Sequence, residues 1–135
     1  MEYPAKVLLA WGEAISGNRP LKDWLAENGY GELAMTCHAI RNHQPSRTWL
    51  MENGFPHLMA MVRGCEGDGA AISWLKQFNF EFLAWVAEGA DNEDEAIKKL
   101  MLHQQNEWAG IALKIRSVKN QIETDHNSAY KISRN

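Results

Sequence analysis

Apolar and polar positions recur along this chain with a period of 25 residues. Three Trp-Leu pairs are spaced by that interval: Trp24-Leu25, Trp49-Leu50 and Trp74-Leu75. Aligned without gaps, segments 19–43 and 44–68 share seven identical residues. Self-similarity with a period of about 20–50 residues is typical of tandem-repeat proteins. The pattern therefore predicts an array of repeats.

The same register extends in both directions from these pairs and sets the predicted boundaries. They are three core repeats over 19–43, 44–68 and 69–93, a leading half repeat over 5–16 and a closing repeat over 94–118. Together they predict one helical-repeat domain over 1–124, with a final helix ending near residue 124. The polar tail over 125–135 is expected to be flexible, as chain ends often are.

Within each repeat the spacing predicts two short helices. Leu21, Trp24 and Leu25 fall at i, i+3 and i+4, so they form one stripe of a first helix, on which Trp24 is expected to be buried. Pro20 suits the first turn of that helix, and Gly29 suits the left-handed conformation that ends it. The second helix carries a set of apolar residues on one face: Leu33, Ala34, Cys37 and Ile40. The predicted fold class is all-α, a short α-solenoid of helix-turn-helix hairpins with degenerate terminal caps.

The segment from Leu25 to Leu33, with Asn28-Gly29 at its centre, resembles the middle of an ankyrin repeat. Glu88-Gly89-Ala90-Asp91 is similar to the end of such a repeat. Ankyrin units are longer, at about 33 residues, and their Thr-Pro-Leu-His signature is absent here. Short two-helix bacterial repeats, such as the leucine-rich variant type, are nearer in length. The resemblance covers residues 5–118 and implies an α-solenoid that binds other macromolecules, without a specific family.

Composition places the chain among soluble globular domains. Of its 135 residues, 45% are hydrophobic and 23% charged, and the formal net charge is −3. The negative balance argues against a nucleic-acid partner. The sequence has no apolar run long enough for a membrane span and no basic leader, so no membrane association and a cytoplasmic location are expected. The two cysteines are too few for a disulfide framework.

The repeat register also predicts the role of the residues that could carry chemistry. Cys37 aligns with Val62, and Cys65 aligns with Ile40, so both thiols are expected in the core and not at a reactive or metal-binding site. No nucleophile motif, phosphate-binding loop or dinucleotide fingerprint is present. We therefore expect no catalytic constellation, no cofactor and no metal.

The leading hypothesis is a non-catalytic scaffold that binds a protein partner, of unknown identity, on the exposed side of the first helices. The predicted contact residues are those opposite the buried stripe: Asp23, Glu27, Thr48, Met51, Glu52, Ser73, Lys76 and Gln77. Met51 and Lys76, at the centre of this set, are the expected anchors. Trp11 and Trp85 lie off the main apolar columns and offer a second kind of anchor if half-exposed.

Two alternatives stay open at this point. One is a small enzyme or ligand-binding protein whose pocket combines titratable groups from adjacent turns: His38, His43, Glu66 and Asp68. The other is a homodimer through the incomplete terminal repeats, because these leave an apolar face at Val7, Leu8 and Trp11 that a second subunit could cover.

Overall fold

The computed structural model describes the backbone of residues 2–134 and the side chains of residues 2–126. Over this range the chain forms nine α-helices and no strand. They are α1 (Ala5–Ile15), α2 (Arg19–Glu27), α3 (Gly31–Ile40), α4 (Gln44–Glu52), α5 (Pro56–Cys65), α6 (Gly69–Gln77), α7 (Glu81–Ala90), α8 (Asp94–Leu102) and α9 (Asn106–Arg134). The all-α prediction is confirmed.

The helices follow the period seen in the sequence. The even-numbered helices begin at residues 19, 44, 69 and 94, and those from α3 onward with odd numbers begin at 31, 56, 81 and 106. Helices thus start about every 12 residues, and each packs against the next, as in a helical repeat arrangement. We call α2, α4, α6 and α8 the outer helices, and α1, α3, α5, α7 and α9 the inner helices.

The turns between helices repeat as regularly as the helices do. A residue with positive φ follows each outer helix, at Gly29, Gly54, Asn79 and Gln104. Another follows each of the first four inner helices, at Gly17, Asn42, Gly67 and Asn92. Glycine and asparagine adopt this left-handed conformation most readily. The predicted roles of Gly29 and Gly54 are confirmed, and Pro20 and Pro45 lie in the first turns of α2 and α4 as expected.

The core lies between the inner helices and under the outer ones. The predicted apolar face of α3 is buried at all four positions, and its equivalents in α5 and α7 are buried too. Each outer helix contributes one leucine with no exposed surface: Leu25, Leu50, Leu75 and Leu100. Every one of these helices is too short to be stable alone, so this shared burial holds the array together.

The first and last inner helices pack against each other. Contacts run from α1 through α3, α5 and α7 to α9, and α9 returns to α1, so the inner helices form a closed cycle. The Trp11 ring meets the Trp108 ring edge-on at 5.7 Å, and Lys114 pairs with Glu13 at 3.3 Å. Val7, Leu8 and Trp11 are therefore buried within the chain. The expectation that they form an exposed apolar face for a second subunit is wrong.

The last helix is longer than the sequence suggested. α9 begins at Asn106 and continues to Arg134, through the polar segment that was expected to follow a helix end near residue 124. The predicted flexibility of residues 125–135 stays a prediction. Within the described part of the chain, none of the helices combines the length and apolar character that crossing a bilayer requires.

Candidate interaction surface

The eight predicted contact residues all lie on the outer helices with their side chains exposed. They are Asp23 and Glu27 on α2, Thr48, Met51 and Glu52 on α4, and Ser73, Lys76 and Gln77 on α6. They occupy the side of each outer helix turned away from the inner helices, because the opposite side carries the buried leucine. The repeat brings them into one register along the array.

The two expected anchors differ in what they have available for a partner. Met51 is 55% exposed, so a large apolar side chain is open to solvent on a polar helix. Lys76 instead pairs with Glu88 of α7 at 3.4 Å, with its side chain 46% exposed. An exposed pair of this kind contributes little to stability and can be exchanged for a partner's carboxylate.

Sequence reasoning missed three further apolar residues on this surface. Phe78, at the end of α6, is 51% exposed, and Met101 and Leu102, at the end of α8, are 56% and 81% exposed. Met101 lies 50 residues after Met51 and therefore occupies the same register position, a signal that the sequence already contained. We call Met51, Phe78, Met101 and Leu102 the apolar patch. All four lie at the C-terminal ends of outer helices.

A row of aromatic rings underlies this end of the array. Each outer-helix tryptophan stacks on the aromatic residue of the following turn, with Trp49 and Phe55 5.9 Å apart and nearly parallel. The row crosses between repeats where His57 of α5 stacks on Phe80 at 4.9 Å, and again where Phe82 meets His103 at 6.0 Å. These contacts hold the ends of successive outer helices next to one another.

The tryptophans are distributed differently from the sequence prediction. Trp24, Trp49 and Trp74 are only partly buried, because the stacked rings cover one side of each indole. The expectation that they are buried is wrong. Trp11 and Trp85, considered as half-exposed anchors, are instead buried. The Trp11 Nε1 donates a hydrogen bond of 3.0 Å to the Leu33 carbonyl oxygen.

Both cysteines are buried, as the register predicted. Burial raises the pKa of the Cys37 thiol and of the Cys65 thiol to about 12. A thiol with such a pKa is protonated at neutral pH and is a poor nucleophile. Their surroundings give both side chains the packing role that the repeat register predicts.

The alternative ligand pocket does not assemble as expected. His38 lies in a cleft between α1, α2 and α3, whereas Glu66 lies in a separate cleft against the C-terminal part of α9. Asp68 caps α6 by accepting hydrogen bonds from the amides of Ala70 and Ala71. His38 and His43 do approach each other, with ring centroids 5.6 Å apart. The four side chains therefore do not share one pocket.

Basic side chains of α9 that the structure describes are engaged within the chain. Lys114 pairs with Glu13, Arg116 with Asp94 at 2.9 Å, and Lys119 with Asp91 at 3.4 Å. In that same part of the chain, no group of three or more His, Cys, Asp or Glu side chains is arranged to hold a metal ion.

Comparison of the chain with protein-family models, with curated proteins and with solved structures found no match.

Proposed function

We propose that this protein is a non-catalytic interaction scaffold, a short α-solenoid that binds a protein partner on the outer helices. The observation that carries the proposal is the apolar patch. Its four side chains are between 51% and 81% exposed and lie at the ends of three successive outer helices. Exposed apolar residues gathered in one region of a soluble protein mark interaction sites more often than isolated ones do.

The chemistry of the patch favours an apolar segment of a partner. Methionine is flexible and polarizable, so Met51 and Met101 can adapt to the shape of an inserted side chain. Charged residues from the predicted set, among them Glu27, Glu52 and Lys76, surround the patch. A central apolar anchor with a polar rim is the usual anatomy of a protein interface.

The test is affinity capture from native lysate with the full chain and two double variants. Met51→Asp/Met101→Asp removes the centre of the patch. Leu9→Asp/Leu113→Asp is the matched control, because those leucines are 63% and 45% exposed on inner helices and the charge change is the same. We expect a partner that the wild type and the control retain and the patch variant loses.

Two results would contradict the proposal. If the patch variant retains every captured protein, the outer helices are not the binding surface. If wild type captures nothing above background, a scaffold role loses its basis. Sedimentation of the purified protein runs in parallel, because a second copy of the chain could occupy the same patch.

A further inference from the structure

The first repeat contains a cleft in which positive charge accumulates. The cleft has a volume of about 220 Å³ and lies between α1, α2 and α3. Its lining includes Arg19 and Lys22 of α2, His38 of α3 and Arg41 of the following turn, with Cys37 at its base. Four basic groups thus converge on one depression of a protein whose net charge is negative.

These cations have no carboxylate partner among the described residues. Neither Arg19, Lys22 nor Arg41 takes part in any of the ion pairs found over residues 2–126. The Arg41 guanidinium is fixed in place, since its Nη2 donates a hydrogen bond of 3.0 Å to the Ile15 carbonyl oxygen. Burial, together with the charges of Lys22 and His43, holds the pKa of His38 below its ordinary value.

The later repeats show what the first one lacks. The equivalents of Arg41 at intervals of 25 residues are Glu66, Asp91 and Arg116. Each is ion-paired: Glu66 with Arg47 at 3.0 Å, Asp91 with Lys119 at 3.4 Å, and Arg116 with Asp94 at 2.9 Å. Arg47 is the equivalent of Lys22, and Asp94 is the equivalent of Arg19. The repeat therefore joins these positions with an internal anion, except in its first copy.

We propose that this cleft binds an oxyanion of the phosphate class, which takes the place of the missing carboxylate. Arginine binds phosphate oxygens through two parallel N–H donors, and lysine adds a point charge. Gly17 and Arg19 line the cleft at the start of α2, so the positive end of that helix dipole lies there as well. Several fixed cations around one small cleft favour a dianion over a single carboxylate.

The test is an NMR titration of the full chain with inorganic phosphate, at constant ionic strength in a chloride buffer. The signals followed are the His38 ring and the backbone amides of residues 17–22. We expect a saturable response in the wild type, with the His38 pKa rising as the anion binds. His38 faces Lys22 from α2 and His43 from the turn after α3, and it shares the cleft with Arg19 and Arg41.

The decisive variant is Arg19→Asp, which reproduces the Asp94–Arg116 arrangement of the last repeat. It should weaken phosphate binding by about tenfold or more, because one charged ligand is lost and an internal competitor is added. Lys6→Asp is the matched control: it makes the same charge change in the first turn of α1, outside the cleft. Its affinity should stay within about twofold of wild type, because exposed charges at a distance are screened.

A second variant, Arg41→Gln, removes a cation without adding an anion, and it should also weaken binding. Thermal melts show which variants are folded. Separate arms with phenyl phosphate and with acetate distinguish the source of the oxyanion: binding of the ester supports a phosphorylated ligand, and binding of free phosphate alone supports the ion itself. The proposal is overturned if wild type shows no saturable response, if Arg19→Asp and Lys6→Asp bind equally, or if acetate binds as tightly as phosphate.

Discussion

Two columns of the repeat, one on the inner helices and one on the outer helices, vary equally in sequence and differ completely in environment. The inner column comprises Trp11, Thr36, Met61, Val86 and Ile111, and every member is buried. The outer column comprises Ala26, Met51, Lys76 and Met101, and every member is exposed. Variation between repeats is therefore not a sign of exposure. The two columns differ in what compensates each change.

In the inner column the neighbouring helices compensate for changes in size and polarity. Trp11, the largest member, is accommodated by the edge-on ring of Trp108 and by the carbonyl oxygen of Leu33. Thr36, the polar member, donates a hydrogen bond of 2.7 Å to the Glu32 carbonyl oxygen within its own helix. A buried polar group satisfied in this way is tolerated in a core. In the outer column nothing compensates, so its variation is free to serve binding.

The same substitution made in each layer would test this comparison most strongly. Trp11→Ala should lower the free energy of unfolding by about 3–5 kcal/mol, because it leaves a cavity where α1 meets α9. Trp49→Ala should cost only about 1–2 kcal/mol, because Trp49 is partly exposed and packs mainly on Phe55. Guanidinium denaturation followed by circular dichroism measures both values. Equal losses would mean that the two layers are not energetically distinct.

A smaller effect is expected at the turns that join the layers. Gly54 has a φ of +85°, so Gly54→Val should destabilise the protein by about 2–3 kcal/mol through backbone strain alone. Gly31→Val is the control, because Gly31 also faces open space but has an ordinary φ. It should cost no more than about 0.5 kcal/mol, since valine is an acceptable residue in a helix. Similar melting temperatures for the two variants would contradict the role given to Gly54.

Local features of the sequence predicted the helices because each boundary has its own chemical signal. Pro20 and Pro45 mark helix starts, and Gly29 and Gly54 mark helix ends, so the period could be placed without any long-range information. The burial of Cys37 and Cys65 followed from the same register. A repeated unit reports each environment several times, which makes such an alignment within one chain informative.

The parts that sequence reasoning missed depend on contacts between distant segments. The cycle closes through α1 and α9, where Glu13 and Lys114 lie 101 residues apart in sequence. No local pattern marks two helices as partners at that distance. The half-burial of Trp49 also depends on how its ring meets Phe55. By contrast, the exposed position of Met101 and the unmatched charges of Arg19, Lys22 and Arg41 could have been found from the register alone.

A still smaller change should improve one repeat by giving it the residue that earlier repeats use. Gln104 has a φ of 60° at the position held by Gly29 and Gly54. Gln104→Gly should raise the free energy of unfolding by about 0.5–1 kcal/mol, because relief of strain exceeds the added freedom of the unfolded chain. Gln105→Gly, one residue later, should give no gain. A loss of stability at residue 104 would show that the Gln104 side chain matters more than its backbone.

The smallest effect on stability is expected on the outer column itself. Met51→Asp should change the free energy of unfolding by no more than about 0.5 kcal/mol, because its side chain is already 55% exposed and leaves no cavity. Met61→Asp is the contrast ten residues later: its side chain is fully buried, and an unpaired carboxylate there should prevent folding. Thermal melts compare the two directly. If Met51→Asp proves strongly destabilising, the residue belongs to the core, and loss of a partner in that variant would no longer locate a binding surface. If it melts like wild type, any such loss is a property of the surface and not of the fold.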